Sequence, residues 1–166
     1  ADPPLLLYVD GHSAALCAPA LAIVGSRQAT PQGLENARAF ARAMAERGWV
    51  IVSGLAAGID AAAHEGALAG GGPTVAVLGT GVDIVYPRSH RALAQRVVAA
   101  GALTSEYTPG TPPLAANFPP RNRIIAALSR GTLVVEATVQ SGSLITARLA
   151  AEAGREVFAI PGSIHS

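Results

Sequence analysis

The chain has 166 residues and no lysine, so all twelve of its basic residues are arginine. That absence excludes Schiff-base chemistry on an ε-amino group and the P-loop lysine that reaches nucleotide phosphates. Biased coding also produces Ala-, Gly- and Arg-rich chains, so the bias alone assigns no role. The single Cys17 permits neither a disulfide framework nor a multi-cysteine zinc site, and fits a reducing, cytoplasmic setting. Aromatic residues are 4% and charged residues 14% of the chain, as expected for a sheet covered on both faces by small-residue helices. A formal charge of +1 provides no global field for an acidic partner, so any basic site has to be local. No apolar run reaches the roughly 18 residues of a membrane span, and no signal peptide is expected. A membrane partner is therefore not expected. The chain begins at Ala1 without Met and stops at Ser166 just after a strand pattern, so one trimmed domain, residues 1–166, is expected.

What is present is an alternation of short apolar runs with longer Ala-rich stretches. Strands are expected at Leu5–Val9, Leu21–Gly25, Trp49–Ser53, Thr74–Gly79, Ala102–Glu106, Thr132–Glu136 and Glu156–Ile160, mostly apolar throughout, as strands buried on both faces are. Helices are expected at Pro31–Arg47, Ile59–Ala69, Ser89–Ala100, Asn122–Ser129 and Ser143–Ala153. In the first, Ala37, Phe40, Ala41, Met44 and Ala45 share a stripe, Thr30-Pro31 starts it and Gly48 stops it. This order predicts right-handed βαβ units, hence an α/β fold with a mainly parallel sheet and helices on both faces. Residues 107–120, with five prolines and no periodicity, read as a functional loop.

In such a sheet ligands bind where strand C-termini lead into helix N-termini. Small and polar residues gather there: Gly25-Ser26-Arg27, Ser53-Gly54, Gly79-Thr80-Gly81 and Ser141-Gly142-Ser143. Glycine lets a ligand approach the backbone, and free amides with the helix dipole favour an anion, most simply a phosphate. None of these turns is a G-x-G-x-x-G fingerprint with its ribose-binding acid, which argues against hydride transfer, and no cofactor is expected. Arginines supply a second signal. Arg27 follows a strand directly, Arg88 and Arg91 follow Tyr86-Pro87, and Arg121, Asn122 and Arg123 follow Phe118. Guanidinium forks grip phosphates and an aromatic ring offers a stacking platform, so the spread of charge over several loops suits a nucleic-acid groove. The plainer readings are a solvated helix start for Arg88 and Arg91, and a salt bridge pinning the loop for Arg121 and Arg123.

Catalytic groupings are poorer. Asp60 and His64 stand i, i+4 on one helix face, which suits an acid/base pair or, more simply, local structural hydrogen bonds. His12, His90 and His165 show no metal-ligand spacing, so no metal site is expected. Glu106 and Glu136 end strands near the rim, as bases or as partners that neutralise a rim arginine. Neither a catalytic residue nor an enzyme activity is assigned.

Together these motifs carry a family resemblance. Ala22-Ile23-Val24-Gly25-Ser26-Arg27, then Ser53 to Asp60 with His64, Gly79-Thr80-Gly81, Tyr86-Pro87, Ser105-Glu106, Phe118 to Ala126, Ser141 to Thr146 and Phe158 to Ser163 resemble the DNA-processing protein A family (DprA, or Smf) in order and spacing. The resemblance implies an extended Rossmann-like core that binds and protects single-stranded DNA and loads the RecA recombinase onto it in natural transformation. It implies no established reaction or cofactor. It makes Arg27 the leading DNA contact, with Arg88 and Arg91 behind the Tyr-Pro motif. The helical and winged-helix domains that flank this core in family members are expected to be absent from this chain. A homodimer is a further implication, which the cut at Ser166 would weaken. The competing class is a nucleotide-metabolising enzyme of phosphoribohydrolase type on a related fold. Its Pro-Gly-Gly-x-Gly-Thr turn is replaced here by Ser141-Gly142-Ser143.

Overall fold

Among the described residues, seven short strands make one sheet in the order β1-β5-β4-β3-β2-β6-β7. They are β1 (Tyr8–Gly11), β2 (Ala20–Gly25), β3 (Val50–Ser53), β4 (Thr74–Val77), β5 (Ala102–Ser105), β6 (Gly131–Val135) and β7 (Glu156–Ala159). The structure, a computed structural model, describes residues 2–137 and 142–161, so Ser141, Gly162 and Ser163 of the motifs lie outside the described residues. Every ladder is parallel except β1 on β5. The first strand falls three residues later than the apolar run Leu5–Val9 suggests, because Tyr8 to Gly11 pair with Ser105 to Ala102 while Leu5 and Leu6 stay exposed.

Five α-helices among the described residues cover the sheet: α1 (Pro31–Glu46), α2 (Ile59–Ala69), α3 (Arg91–Ala100), α4 (Phe118–Leu128) and α5 (Gly142–Glu152). Strand alternation sends Leu21, Ile23, Ile51, Leu133 and Val135 beneath α1 and α2. The intervening Val24, Val52, Val75, Val77 and Val134 meet Ile124 and Ile125 of α4. Ala76 and Leu103 pack on Leu93, Ala94 and Val97 of α3. This period-two sorting explains why β2 to β6 read as continuously apolar: both of their faces are covered. On α1 the buried stripe is Gly33, Ala37, Ala41 and Ala45. Phe40, expected on that stripe, is instead 48% exposed, since the close α1–α2 contact at Ala41 and Gly66 admits only small residues.

Helix α4 starts four residues before the expected Asn122, taking in Phe118-Pro119-Pro120. Proline is tolerated in a first turn because those N–H groups have no intrahelical acceptor. The proline-rich loop is thus shorter than its composition suggests. No helix among the described residues is long and apolar enough to cross a membrane.

The chain leaves β2 toward β3 on one side and leaves β6 toward β7 on the other, although β2 and β6 are neighbours. Between their C-terminal ends lies the topological switch point, where loops diverge and a crevice opens.

Candidate nucleic-acid interface

A cleft of about 430 Å³ occupies that switch point, lined by Gly25, Ser26, Arg27, Gln28, Asp60, Arg121, Asn122, Gly142, Ser143 and Thr146, among others. Two strand-to-helix turns and the start of α5 build it. In the first, Gln28 N donates to Ser26 Oγ, 3.1 Å, curling the chain so that Arg27 projects as an exposed side chain. The second turn, after β3, packs against the first. Gly58 has φ of +80° and a Cβ there would lie 2.3 Å from Ser26 O, while Ile59 N donates to that same oxygen. Only glycine allows both the left-handed backbone and the close approach. Helix α5 contributes Gly142 and Ser143 at its start.

The floor of the cleft is an arginine held almost wholly out of water. Arg121 is 4% exposed. Its Nη1 donates to Gly54 O (2.9 Å) and Val77 O (2.7 Å), and its Nε to Asn122 Oδ1 (3.0 Å). Asn122 Nδ2 in turn donates to Gly142 O, 3.3 Å, tying α4 to α5. Burial pushes the Arg121 pKa down, and Asp60 beside it partly restores the charged form. Asp60 Oδ2 accepts from Gly54 N and Ala56 N at 3.1 and 3.3 Å. Burial raises its carboxyl above the ordinary range, against the opposing pull of Arg121.

Beside the cleft is an aromatic annex. The Arg27 Cζ stands 6.0 Å from the Phe118 ring centroid, and the Arg121 Cζ 5.5 Å. The Tyr86 ring lies 5.5 Å from Phe118 at an interplanar angle of 45°, and Tyr86 is 48% exposed. Guanidinium over ring is a cation–π arrangement. The part-exposed ring pair leaves flat apolar surface open to solvent next to an exposed positive charge.

Other expected site residues serve the frame. Ser53 is buried and its hydroxyl donates to Ile23 O, 2.7 Å. Gly54 packs against the Arg121 guanidinium, and Gly79 against the Phe118 ring. Thr80 is buried and donates to Gly81 O and Ile84 O, while Gly81 is enclosed by Asp83, Thr108 and Gly110. Arg123 does not enter the cleft. Its Nη1 and Nη2 fork onto Glu106 at 2.7 and 2.6 Å, and its Nε donates to Asp2 O, which is the loop-pinning arrangement. This fork holds the Glu106 carboxyl below its usual range. Arg88, in the short 3-10 turn before α3, and Arg91, the first residue of α3, are exposed, beyond Tyr86 and outside the cleft lining.

Glu136 is spent at the start of α1. Its carboxylate accepts from Thr30 N at 2.8 Å and from the Thr30 hydroxyl, while Thr30 Oγ1 accepts from Gly33 N. A carboxylate at a helix N-terminus is favoured by the dipole, so this helix start is already occupied. The position is held at φ of +53°. Leu55, at φ of +60°, is held similarly: its N–H reaches His64 Nε2 (3.3 Å) and its carbonyl accepts from His90 Nδ1 (2.8 Å). Strained backbone of this kind persists only where its surroundings over-determine it. His64 is fully buried, and its tautomer follows from its partners. Thr74 Oγ1 donates to Ile51 O, so His64 Nδ1–H donates to Thr74 and Nε2 accepts from Leu55. Burial lowers its pKa to about 3. Asp60 and His64 thus hold the β3–α2 turn rather than face each other as acid and base. Among the described residues, no three His, Cys, Asp or Glu side chains gather to hold a metal ion.

The residues that sequence reasoning missed are Gln28, Asp60 as a cleft wall, Thr146 and the annex ring of Tyr86. Tyr86 carried a signal, since it precedes Pro87 in a motif already noted.

The family profile described as DNA recombination-mediator protein A matches residues 1–166. Protein Smf of Escherichia coli K12 is 52% identical over 164 residues, covering 98% of this chain and 44% of that protein. DNA processing protein DprA of Streptococcus pneumoniae is 50% identical over 163 residues, covering 98% of this chain and 57% of that protein. Its X-ray structure superposes with a TM-score of 0.92, over 97% of this chain and 56% of that one. The chain spans about half the length of the curated relatives it matches. DNA processing protein A of Helicobacter pylori, solved for its unique single-stranded DNA binding mode, is 34% identical with a TM-score of 0.92, over 99% of this chain and 76% of that one. A molybdenum cofactor binding protein of Rippkaea orientalis, 22% identical with a TM-score of 0.65 over 89% of this chain and 79% of that one, shares the Rossmann-like fold. Profile, identity and superposition agree along nearly the whole length: the chain belongs to the DNA recombination-mediator protein A family.

Proposed function

We propose that this chain is a single-stranded-DNA-binding core whose strand lies in the switch-point cleft and stacks on the adjoining annex. One observation carries the reading: exposed Arg27 stands over the Phe118 ring at 6.0 Å while lining a cleft that ends at the α5 N-terminus. Phosphate and base thus each have a surface of matching chemistry, side by side. Arg27 neutralises a phosphate, Gly142 and Ser143 offer the positive end of a helix, and Phe118 with Tyr86 supplies π-faces that tolerate any base. Duplex bases keep their faces covered by stacking, so the annex favours a single strand. Arg88 and Arg91 form an outer track that a strand leaving past Tyr86 would meet.

The reading is of a binding protein rather than an enzyme. Glu106 is committed to Arg123 and Glu136 to Thr30, which leaves neither rim carboxylate poised as a base. In the longer proteins of this family we take the role to be protection of incoming single strands and loading of RecA recombinase onto them, in the cytoplasm, with a homodimer as the working form.

Fluorescence anisotropy with labelled oligo-dT tests this. Arg27→Ala weakens binding about tenfold or more, in line with the roughly 1.5–3 kcal/mol of a hydrogen bond to a charged group. Arg88→Ala and Arg91→Ala cost less. Unchanged affinity in Arg27→Ala, or equal affinity of the wild type for duplex of the same length, overturns the proposal.

A further inference from the structure

A second basic cleft lies at the opposite end of the strands, outside the interface described above. It measures about 220 Å³ and is walled by Cys17, Pro19, Ser129, Arg130 and Arg155. The two arginines are brought together by the sheet. Gly131 and Glu156 are register partners on β6 and β7, so Arg130 and Arg155 stand one step earlier on adjacent parallel strands, at a ladder spacing of about 4.8 Å.

Two guanidinium groups so placed repel each other unless an anion lies between them. The protein does not supply one: neither arginine is ion-paired among the described residues, and no acidic residue lines the cleft. Arg155 Nη2 donates to Ala127 O at 3.0 Å, but its Nε is buried without a partner. The last carbonyls of α4 form part of the wall and disfavour an anion, yet the one at Ala127 is already covered by Arg155. Ser129 is not available, since its hydroxyl donates to Ile125 O.

We propose that Arg130 and Arg155 form an oxyanion site for a phosphate-class ligand, separate from the Arg27 cleft and independent of its assignment. Two forked cations facing one concavity suit a tetrahedral dianion or a diester phosphate of a strand.

Cys17, exposed in this cleft and the chain's one cysteine, reports its occupancy. The rate of Cys17 modification by the uncharged reagent N-ethylmaleimide is followed with rising pyrophosphate, and separately with oligo-dT, at ionic strength matched by sodium chloride. At pyrophosphate of about ten times its dissociation constant only about a tenth of sites stay open, so modification slows about tenfold in wild type. The same slowing is expected in Arg27→Ala, and none in Arg130→Ala or Arg130→Glu. Arg130 makes no side-chain bond among the described residues, so these variants are expected to stay folded, which thermal melts verify. Protection of Arg27→Ala by oligo-dT as well identifies a strand phosphate as the ligand, and protection by pyrophosphate alone identifies a free phosphate compound. No protection by either up to about 10 mM, where millimolar sites fill, overturns the proposal. So does protection that matched chloride reproduces, or that Arg27→Ala abolishes.

Discussion

His64 shows how a residue that reads as chemistry serves as structure. Its i, i+4 spacing from Asp60 is visible in the sequence. That Thr74 and the Leu55 amide consume both its ring nitrogens is not, because those partners arrive from another strand and a strained turn. Burial keeps the ring neutral, with a pKa lowered from 6.5 to about 3. The unfolded chain therefore binds a proton that the folded chain refuses across that window. Its contribution is fully present above pH 6.5 and is lost as pH falls toward 3, at about 1.4 kcal/mol per pH unit. Asp60 acts in the opposite sense: its raised pKa lets the folded state take up a proton first and offsets part of the loss at the acid end. Urea denaturation of wild type and His64→Asn at a series of pH values isolates the histidine. From pH 6.5 to about pH 5 the wild type loses about 2 kcal/mol more than the variant. Parallel profiles for the two proteins would show that His64 is protonated in the fold.

At the scale of the element, α4 sorts three consecutive residues into different jobs. A helix turns about 100° per residue, so Arg121 lies buried in the cleft floor, Asn122 bridges to α5, and Arg123 points away to Glu106. Sequence reasoning grouped all three with Phe118 as DNA contacts, because helix phase could not be set while Pro119-Pro120 read as loop. Moving the start to Phe118 fixes the phase. The elements themselves were legible: all seven strands and five helices were marked by β-branched runs, caps and glycine stops. Boundaries slipped where pairing decided them, as at β1, and where proline is compatible with a first turn. Burial of Arg121 had no one-dimensional sign, since its acceptors are the carbonyls of Gly54 and Val77 on two different strands' ends. The separation of jobs is measurable. Arg123→Ala strips Glu106 of its partner and frees the segment at Asp2, costing about 1–2 kcal/mol, between surface and buried ion pairs. It leaves oligo-dT affinity within about twofold, the size of an ordinary surface substitution. A loss in anisotropy matching that of Arg27→Ala, with stability unchanged, would return Arg123 to the interface.

For the whole molecule the consequential quantity is where its charge sits. Twelve arginines against eleven acids give a formal charge of +1, too small to draw a polyanion from a distance. Many of those arginines are spent locally, Arg42 on Glu46, Arg96 on Glu65 and Arg123 on Glu106. The fold then places Arg27, which has no ion pair among the described residues, at the switch point, where diverging loops leave a crevice. A lysine-free composition could not announce this, since coding bias yields the same count; only placement distinguishes the two. The distinction appears in salt dependence. Each phosphate neutralised on a single strand steepens the fall of log K with log salt by about 0.7. Arg27→Ala and Arg38→Ala remove the same unit of charge, but Arg38 is an exposed residue of α1, outside the cleft lining. Anisotropy titrations across a salt series are therefore expected to give a slope shallower by about 0.7 for Arg27→Ala and unchanged for Arg38→Ala. Equal shifts in the two variants would mean that net charge, not the cleft, attracts the strand.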